Sequence, residues 1–163
     1  MSFNARHVMQ QRVYTVPPDM SLPDLEQQFS DHRVSGFPVV EEGRLVGVVS
    51  RSDIVQRLLI EHYTATTTSD FYRDDTGFHE VPLETFEQIA SRVGQSIESL
   101  CVKNVMVPDP IKVSQDRPLV EVAQLMVEKR IHRVPVVQQD VLVGIISTID
   151  LVRLIADGEL RAS

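Results

Sequence analysis

Apolar and polar residues alternate along this chain in a pattern that occurs twice. In the first pass Val13-Tyr14-Thr15-Val16 is a β-rich run closed by Pro17-Pro18. Leu22, Leu25 and Phe29 then recur at helical spacing on one face, behind Asp19 or Ser21 as a cap. Phe37-Pro38-Val39-Val40 and Leu45-Val46-Gly47-Val48-Val49 flank Glu41-Glu42-Gly43-Arg44, which predicts a hairpin with a short turn. The unbroken valines predict strands covered on both faces. Ser50 opens a last helix with Ile54, Val55, Leu58 and Leu59 inward. The second pass runs through Ile111-Lys112-Val113, a helix from about Leu119 to Lys129, a hairpin about Gln139-Asp140, and a helix from Ser147.

The two passes are copies. A shift of 97 residues lays Val8-Met9 on Val105-Met106, Pro38-Val39-Val40 on Pro135-Val136-Val137, and Leu45-Val46-Gly47 on Leu142-Val143-Gly144. Ser50 and Asp53 fall on Ser147 and Asp150, and residues 6–57 match 103–154 at 16 of 52 positions without a gap. Chance at ordinary residue frequencies gives roughly three. A unit of about 55 residues buries too little surface to be comfortable alone, so the fold expected is two β-α-β-β-α repeats, α/β (α+β) in class, packed with pseudo-two-fold symmetry.

Composition adds the part between the copies. The net charge is −7, and residues 61–100 contribute −6 of it, with eight acids against Arg73 and Arg92. The domain reading is repeat 1 over 4–60, an acidic insert over 61–100, and repeat 2 over 101–157. Thr64-Ala-Thr-Thr-Thr-Ser69 reads as a flexible polar stretch. Beyond Pro82, Leu83, Phe86, Ile89, Ala90, Val93, Ile97 and Leu100 share one face, which predicts a helix over about 83–100. That helix packs on the module or its dimer, or else docks a basic partner. An acidic balance argues against nucleic acid and anionic membrane as partners, and no apolar run approaches a membrane span. The one cysteine, Cys101, precludes an internal disulfide, reads as packed, and fits a cytoplasmic location.

Chemistry concentrates in Gly-x-x-Ser-x-x-Asp, Gly47-Ser50-Asp53 and Gly144-Ser147-Asp150. Glycine lets the backbone pass close to something at the strand's end. Serine at a helix N-terminus stands where free N–H groups favour an anion. An aspartate one turn later can accept hydrogen bonds from both hydroxyls of a ribose. The same spacing is close to a capping box, with serine bonding the third amide and the acid reaching back. Both readings stand at the level of spacing, and both can hold together.

VSGFPVV followed by RLVGVVSRSD, and RIHRVPVV followed by VLVGIISTID, resemble the cystathionine-β-synthase (CBS) domain, here as a tandem pair forming one Bateman module. The resemblance covers roughly 4–60 and 101–157. It implies clefts between the repeats, frequent dimerisation, and a regulatory role through AMP, ADP, ATP or another adenosyl compound. In family members with a His-Arg pair at Ile131-His132-Arg133-Val134-Pro135, that pair reaches phosphates. Arginine offers a planar fork of donors and histidine a further donor.

The nucleotide site is therefore expected at Ser147, Asp150, His132, Arg133, Val134 and Pro135, with Lys112, Arg33 and Arg130 as auxiliaries. In the first copy the counterparts are Ser50, Asp53, Ser35, Gly36 and Phe37. Ser35 and Gly36 replace the His-Arg pair, so that cleft is expected to be weaker, empty, or tuned to a less charged ligand. An exposed pair at a helix-to-strand turn is the plainer account of His132-Arg133.

Catalytic signatures are missing: no Gly-x-Ser-x-Gly elbow, phosphate-binding Gly-x-x-x-x-Gly-Lys loop or dinucleotide glycine motif occurs. The five histidines have no metal spacing, and Asp74-Asp75 with His79-Glu80 reads as a solvated loop. The expectation is a non-catalytic, homodimeric sensor of an adenine nucleotide that signals to a regulated protein. S-adenosylmethionine, NAD and Mg²⁺ are further ligand candidates. The alternative is a non-binding dimerisation scaffold with a partner-docking acidic helix.

Overall fold

The computed structural model describes residues 3–59, 98 and 100–159. The predicted 83–100 helix, the polar stretch from Thr64 and the Asp74-Asp75 loop fall outside them, apart from Glu98 and Leu100. The described residues form two compact units, which divide the chain differently from its repeats. One holds 14–59, 98 and 100–110, and the other 3–13 and 111–159. Each unit thus draws its lead segment from the residues that precede the other repeat.

In the first-repeat unit, α2 (Leu22–His32) is capped by Ser21, whose Oγ accepts from Asp24 N at 3.2 Å. Ser21, not Asp19, is the cap. The helix ends at Arg33, in the left-handed region at φ 51°. β1 (Gly36–Glu41) and β2 (Arg44–Ser50) pair antiparallel about a turn with Glu42 at φ 49° and Gly43 at φ 79°. Two consecutive positive φ values give the turn whose twist suits a two-residue hairpin. α3 (Arg51–Leu59) follows at once. The predicted strand at Val13–Val16 shrinks to one parallel bridge, Val16 to Val39. Pro17 and Pro18 come next, and without N–H groups they cannot extend the ladder.

The core joins Leu22, Leu25 and Phe29 of α2 to Phe37, Val39 and Val49 of the hairpin and Ile54 of α3. The Phe29 and Phe37 rings lie 5.0 Å apart. Val102 and Val105, on the one-turn helix α4 (Val102–Val105), complete it. This lead segment is held by backbone: Val102 N donates to Met20 O at 2.9 Å and Lys103 N to Pro18 O at 2.8 Å. β3 (Val107–Pro108) then pairs antiparallel with β2, Val107 against Val48.

The second-repeat unit repeats the scheme. α1 (Ala5–Val8) buries Ala5, whose N donates to Arg117 O at 2.9 Å, while Leu119 N donates to Phe3 O at 2.8 Å. Gln10 bridges Ile145 antiparallel. β4 (Val113–Ser114) runs parallel to β5 (Arg133–Gln138), and β5 pairs antiparallel with β6 (Val141–Ser147). The turn residues Gln139 and Asp140 have φ 50° and 67°. α5 (Leu119–Lys129) and α6 (Thr148–Ala156) close the unit over Val122, Met126, Val134, Val136 and Ile146.

The outer surfaces of α5 and α6 carry an apolar stripe. Val120 (67% exposed), Val127 (78%) and Ile155 (64%) line a groove of about 950 Å³ with Ala123 and Leu151. At the equivalent positions 97 residues earlier the chain has Pro23, Ser30, Leu58, Glu26 and Ile54. Among the described residues no helix is long and apolar enough to cross a membrane.

Candidate functional site

The end of the β5–β6 hairpin gathers most of the expected residues of the second copy. Arg133 opens β5 and pairs directly with Ser147, the last residue of β6. Ser147 is also the N-cap of α6, so its neighbours Thr148 and Asp150 lie in the first turn of that helix. Thr148 ties the two elements together. Its N donates to His132 O at 2.8 Å, and its Oγ1 donates to the same carbonyl at 3.0 Å and lies 3.3 Å from His132 Nδ1. The His132 side chain is exposed and Arg133 is half-buried.

Asp150 is 6% exposed and carries the densest hydrogen bonding. Its Oδ2 accepts from Ser147 N at 2.8 Å and Ser147 Oγ at 2.7 Å. Its Oδ1 accepts from Gln10 Nε2 at 2.7 Å, and Arg153 Nη1 stands 4.0 Å away. Burying a carboxylate is costly unless it is bonded, and these donors meet that cost. In the first copy Asp53 Oδ2 accepts from Ser50 N at 2.7 Å and Ser50 Oγ at 2.9 Å, while Asp53 N donates back to Ser50 Oγ at 3.3 Å. The capping-box reading of Ser-x-x-Asp is thus realised in both copies.

The remaining expected residues separate. Val134 and Pro135 are buried in β5, paired with Ile146 and Ile145 of β6. Lys112 lies at the opposite end, where its Nζ meets Asp140 Oδ1 in the turn at 2.8 Å. Arg33 and Arg130 cap α2 and α5 at their C-termini and are exposed. Gly36 pairs with Ser50 across β1–β2, so it occupies the place of Arg133. Ser35 precedes it. Phe37 is 1% exposed and its ring belongs to the core beside Phe29. Among the described residues no cluster of three or more His, Cys, Asp or Glu is arranged for a metal.

The repeat glycines face a neighbour in the fold. A Cβ on Gly144 would lie 2.7 Å from Met9 Sδ and 3.0 Å from Gln10 O. One on Gly47 would lie 2.7 Å from Met106 Sδ and 2.9 Å from Val107 O. Each glycine is the notch in which the Val-Met lead segment of its unit sits.

Three residues escaped the sequence reading. Thr148 directly follows Ser147. Arg51, at the position equivalent to Thr148, gives the first copy a cation at the start of α3, bidentate on Glu26 at 2.7 and 3.1 Å. Gln10 had no local signal, because its partner is 140 residues away.

The family model of the CBS domain matches residues 5–60 and 102–157. The protein CBSX1 of Arabidopsis thaliana, described as a chloroplastic CBS domain-containing protein, is 29% identical over 143 residues, 86% of this chain. The chain spans 58% of the length of CBSX1 and of CBSX2 from the same plant. The crystal structure of CBSX2 in complex with AMP matches with a TM-score of 0.66 at 22% identity, over 97% of this chain and 99% of that one. The CBS domain pair of MJ0100, in complex with 5′-methylthioadenosine and S-adenosyl-L-methionine, matches with a TM-score of 0.62 at 19% identity, over 97% and 99%.

Proposed function

This chain belongs to the CBS-domain family, with two repeats, and from that premise we propose that it is a non-catalytic sensor of adenine nucleotides. The observation that carries the reading is the hairpin end of the second-repeat unit. There Arg133 pairs with Ser147, and the buried Asp150 lies one helical turn beyond. Asp150 takes the ribose hydroxyls, while Arg133, His132 and the Thr148 hydroxyl face the phosphates. The AMP bound by CBSX2 and the methylthioadenosine and S-adenosylmethionine bound by MJ0100 support the ligand class. Ser50, Asp53, Ser35 and Gly36 form the poorer counterpart, because no His-Arg pair precedes β1. The ligand's differential affinity for two arrangements of the protein conveys its presence to a regulated partner. The lone Cys101 fits a cytoplasmic setting.

Thermal melting with AMP, ADP, ATP, S-adenosylmethionine, NAD and Mg²⁺ tests this. A ligand at 100 times its Kd adds ~2.7 kcal/mol, worth roughly 5–11 °C at this size. We expect a shift with adenine nucleotides that Asp150→Ala abolishes and Asp53→Ala keeps. No shift with any adenosyl ligand sinks the sensor in favour of the scaffold. Loss in Asp53→Ala alone moves the site to the first copy.

We propose further that the α5–α6 groove joins two copies of this chain. Its apolar centre is flanked by Glu128 and Gln124, and a two-fold contact needs only one such self-complementary patch. The polar residues at two of the equivalent first-copy positions, Glu26 and Ser30 in place of Ala123 and Val127, show that the repeat architecture does not require the apolar face. Val127→Glu, at a side chain 78% exposed, is expected to turn a dimer into a monomer in sedimentation equilibrium without lowering the melting point of the monomer. An unchanged dimer places the contact elsewhere, and a monomeric wild type removes it.

A further inference from the structure

Gln10 reaches Asp150 from the lead segment, and its backbone is pinned. Gln10 N donates to Ile145 O at 2.8 Å, and Ile145 N donates to Gln10 O at 3.0 Å. From that anchor Nε2 donates to Asp150 Oδ1 at 2.7 Å. A carboxylate has about four lone-pair sites. Ser147 N and Oγ take two on Oδ2, and Gln10 takes a third on Oδ1. A ribose diol gripping Asp150 through both hydroxyls needs two sites, so one present donor must leave. The Ser147 donors belong to the capping box that closes the first turn of α6. Gln10 is an exposed, flexible side chain whose backbone pairing with Ile145 does not depend on its amide.

We infer that Gln10 is a competitive latch on Asp150: its amide occupies the acceptor a nucleotide's ribose takes, lowers affinity at that site, and is displaced on binding. The inference rests on the nucleotide reading above. The first copy supplies a contrast. The residue equivalent to Gln10 is Val107, which pairs with Val48 and has no side-chain donor. The latch therefore sets the threshold of one site and not the other, and it couples that site to residues 3–13.

The test is calorimetric titration of the full chain with AMP, on wild type, Gln10→Ala, Gln10→Met, Asp150→Ala and the Gln10→Ala/Asp150→Ala double variant. Gln10→Met keeps the side chain's length without its donor. Both single Gln10 variants should bind AMP roughly tenfold tighter, the worth of about one hydrogen bond. The gain should vanish with Asp150→Ala. In wild type, the Gln10 side-chain amide resonances should move toward those of a solvated glutamine as AMP saturates, which a merely structural role would not produce. Equal or weaker AMP binding in both Gln10 variants, with binding still dependent on Asp150, overturns the latch and leaves the nucleotide reading intact. No AMP binding in any of the proteins overturns the nucleotide reading and the latch with it.

Discussion

Ser50 and Asp53 illustrate how two residues one turn apart settle a helix start. The Ser50 hydroxyl is buried, donates to Asp53 Oδ2 at 2.9 Å and accepts from Asp53 N at 3.3 Å. Ser50→Ala leaves a buried carboxylate short of a donor and a helix amide short of an acceptor. We expect a loss of about 1–2 kcal/mol in urea unfolding. The repeat glycines make a second case. Gly144→Ala brings a Cβ to 3.0 Å from Gln10 O, a backbone atom that cannot swing away as the Met9 thioether can. The expected loss is about 1–3 kcal/mol, and Met9→Ala in the same chain should restore only part of it. Full rescue would mean that the methionine alone makes the notch. The Ser-x-x-Asp pairs and the glycines were legible as residues, since each is a local signature. Their partners were not, because Met9 and Gln10 lie more than 130 positions away from Gly144 and Asp150.

At the scale of elements, hydrophobic periodicity served best where one face is buried and the ends carry chemical markers. The helix expected from Leu119 to Lys129 has those bounds, and both hairpins turn where polar pairs interrupt the valines. Of the strand expected at Val13–Val16, only the Val16–Val39 bridge forms. β-rich residue types suit a strand without supplying it a partner, and beyond Val16 the pair Pro17-Pro18 has no N–H with which to continue the ladder. Helix ends carry avoidable strain: Arg33 and Arg130 hold left-handed φ angles of 51° and 54°. Arg33→Gly and Arg130→Gly should each stabilise the protein by about 1 kcal/mol. In thermal melts each should raise the midpoint by roughly 2–4 °C. A drop in either would show that the arginine side chain contributes more than its backbone conformation costs.

For the whole molecule, the exchange of lead segments has a measurable consequence. Removing residues 1–12 takes away Ala5, Met9 and Gln10, all of which pack or bond within the second-repeat unit. Amide-exchange protection should fall in α5 and β6 and persist in α2 and β1. The reverse pattern would assign the lead segment to its own repeat. By itself, the sequence determined the duplication, the order of elements within each copy, the acidic insert and the acid at each helix start. These rest on short-range periodicity and on identities 97 residues apart. Tertiary structure alone decided which lead segment fills which glycine notch, and hence that Gln10 meets Asp150 while Val107 meets Val48. Both lead segments carry Val-Met, and both repeats offer the same glycine. Periodicity tells which face must be covered, and two equivalent covers leave the choice to how the chain closes on itself.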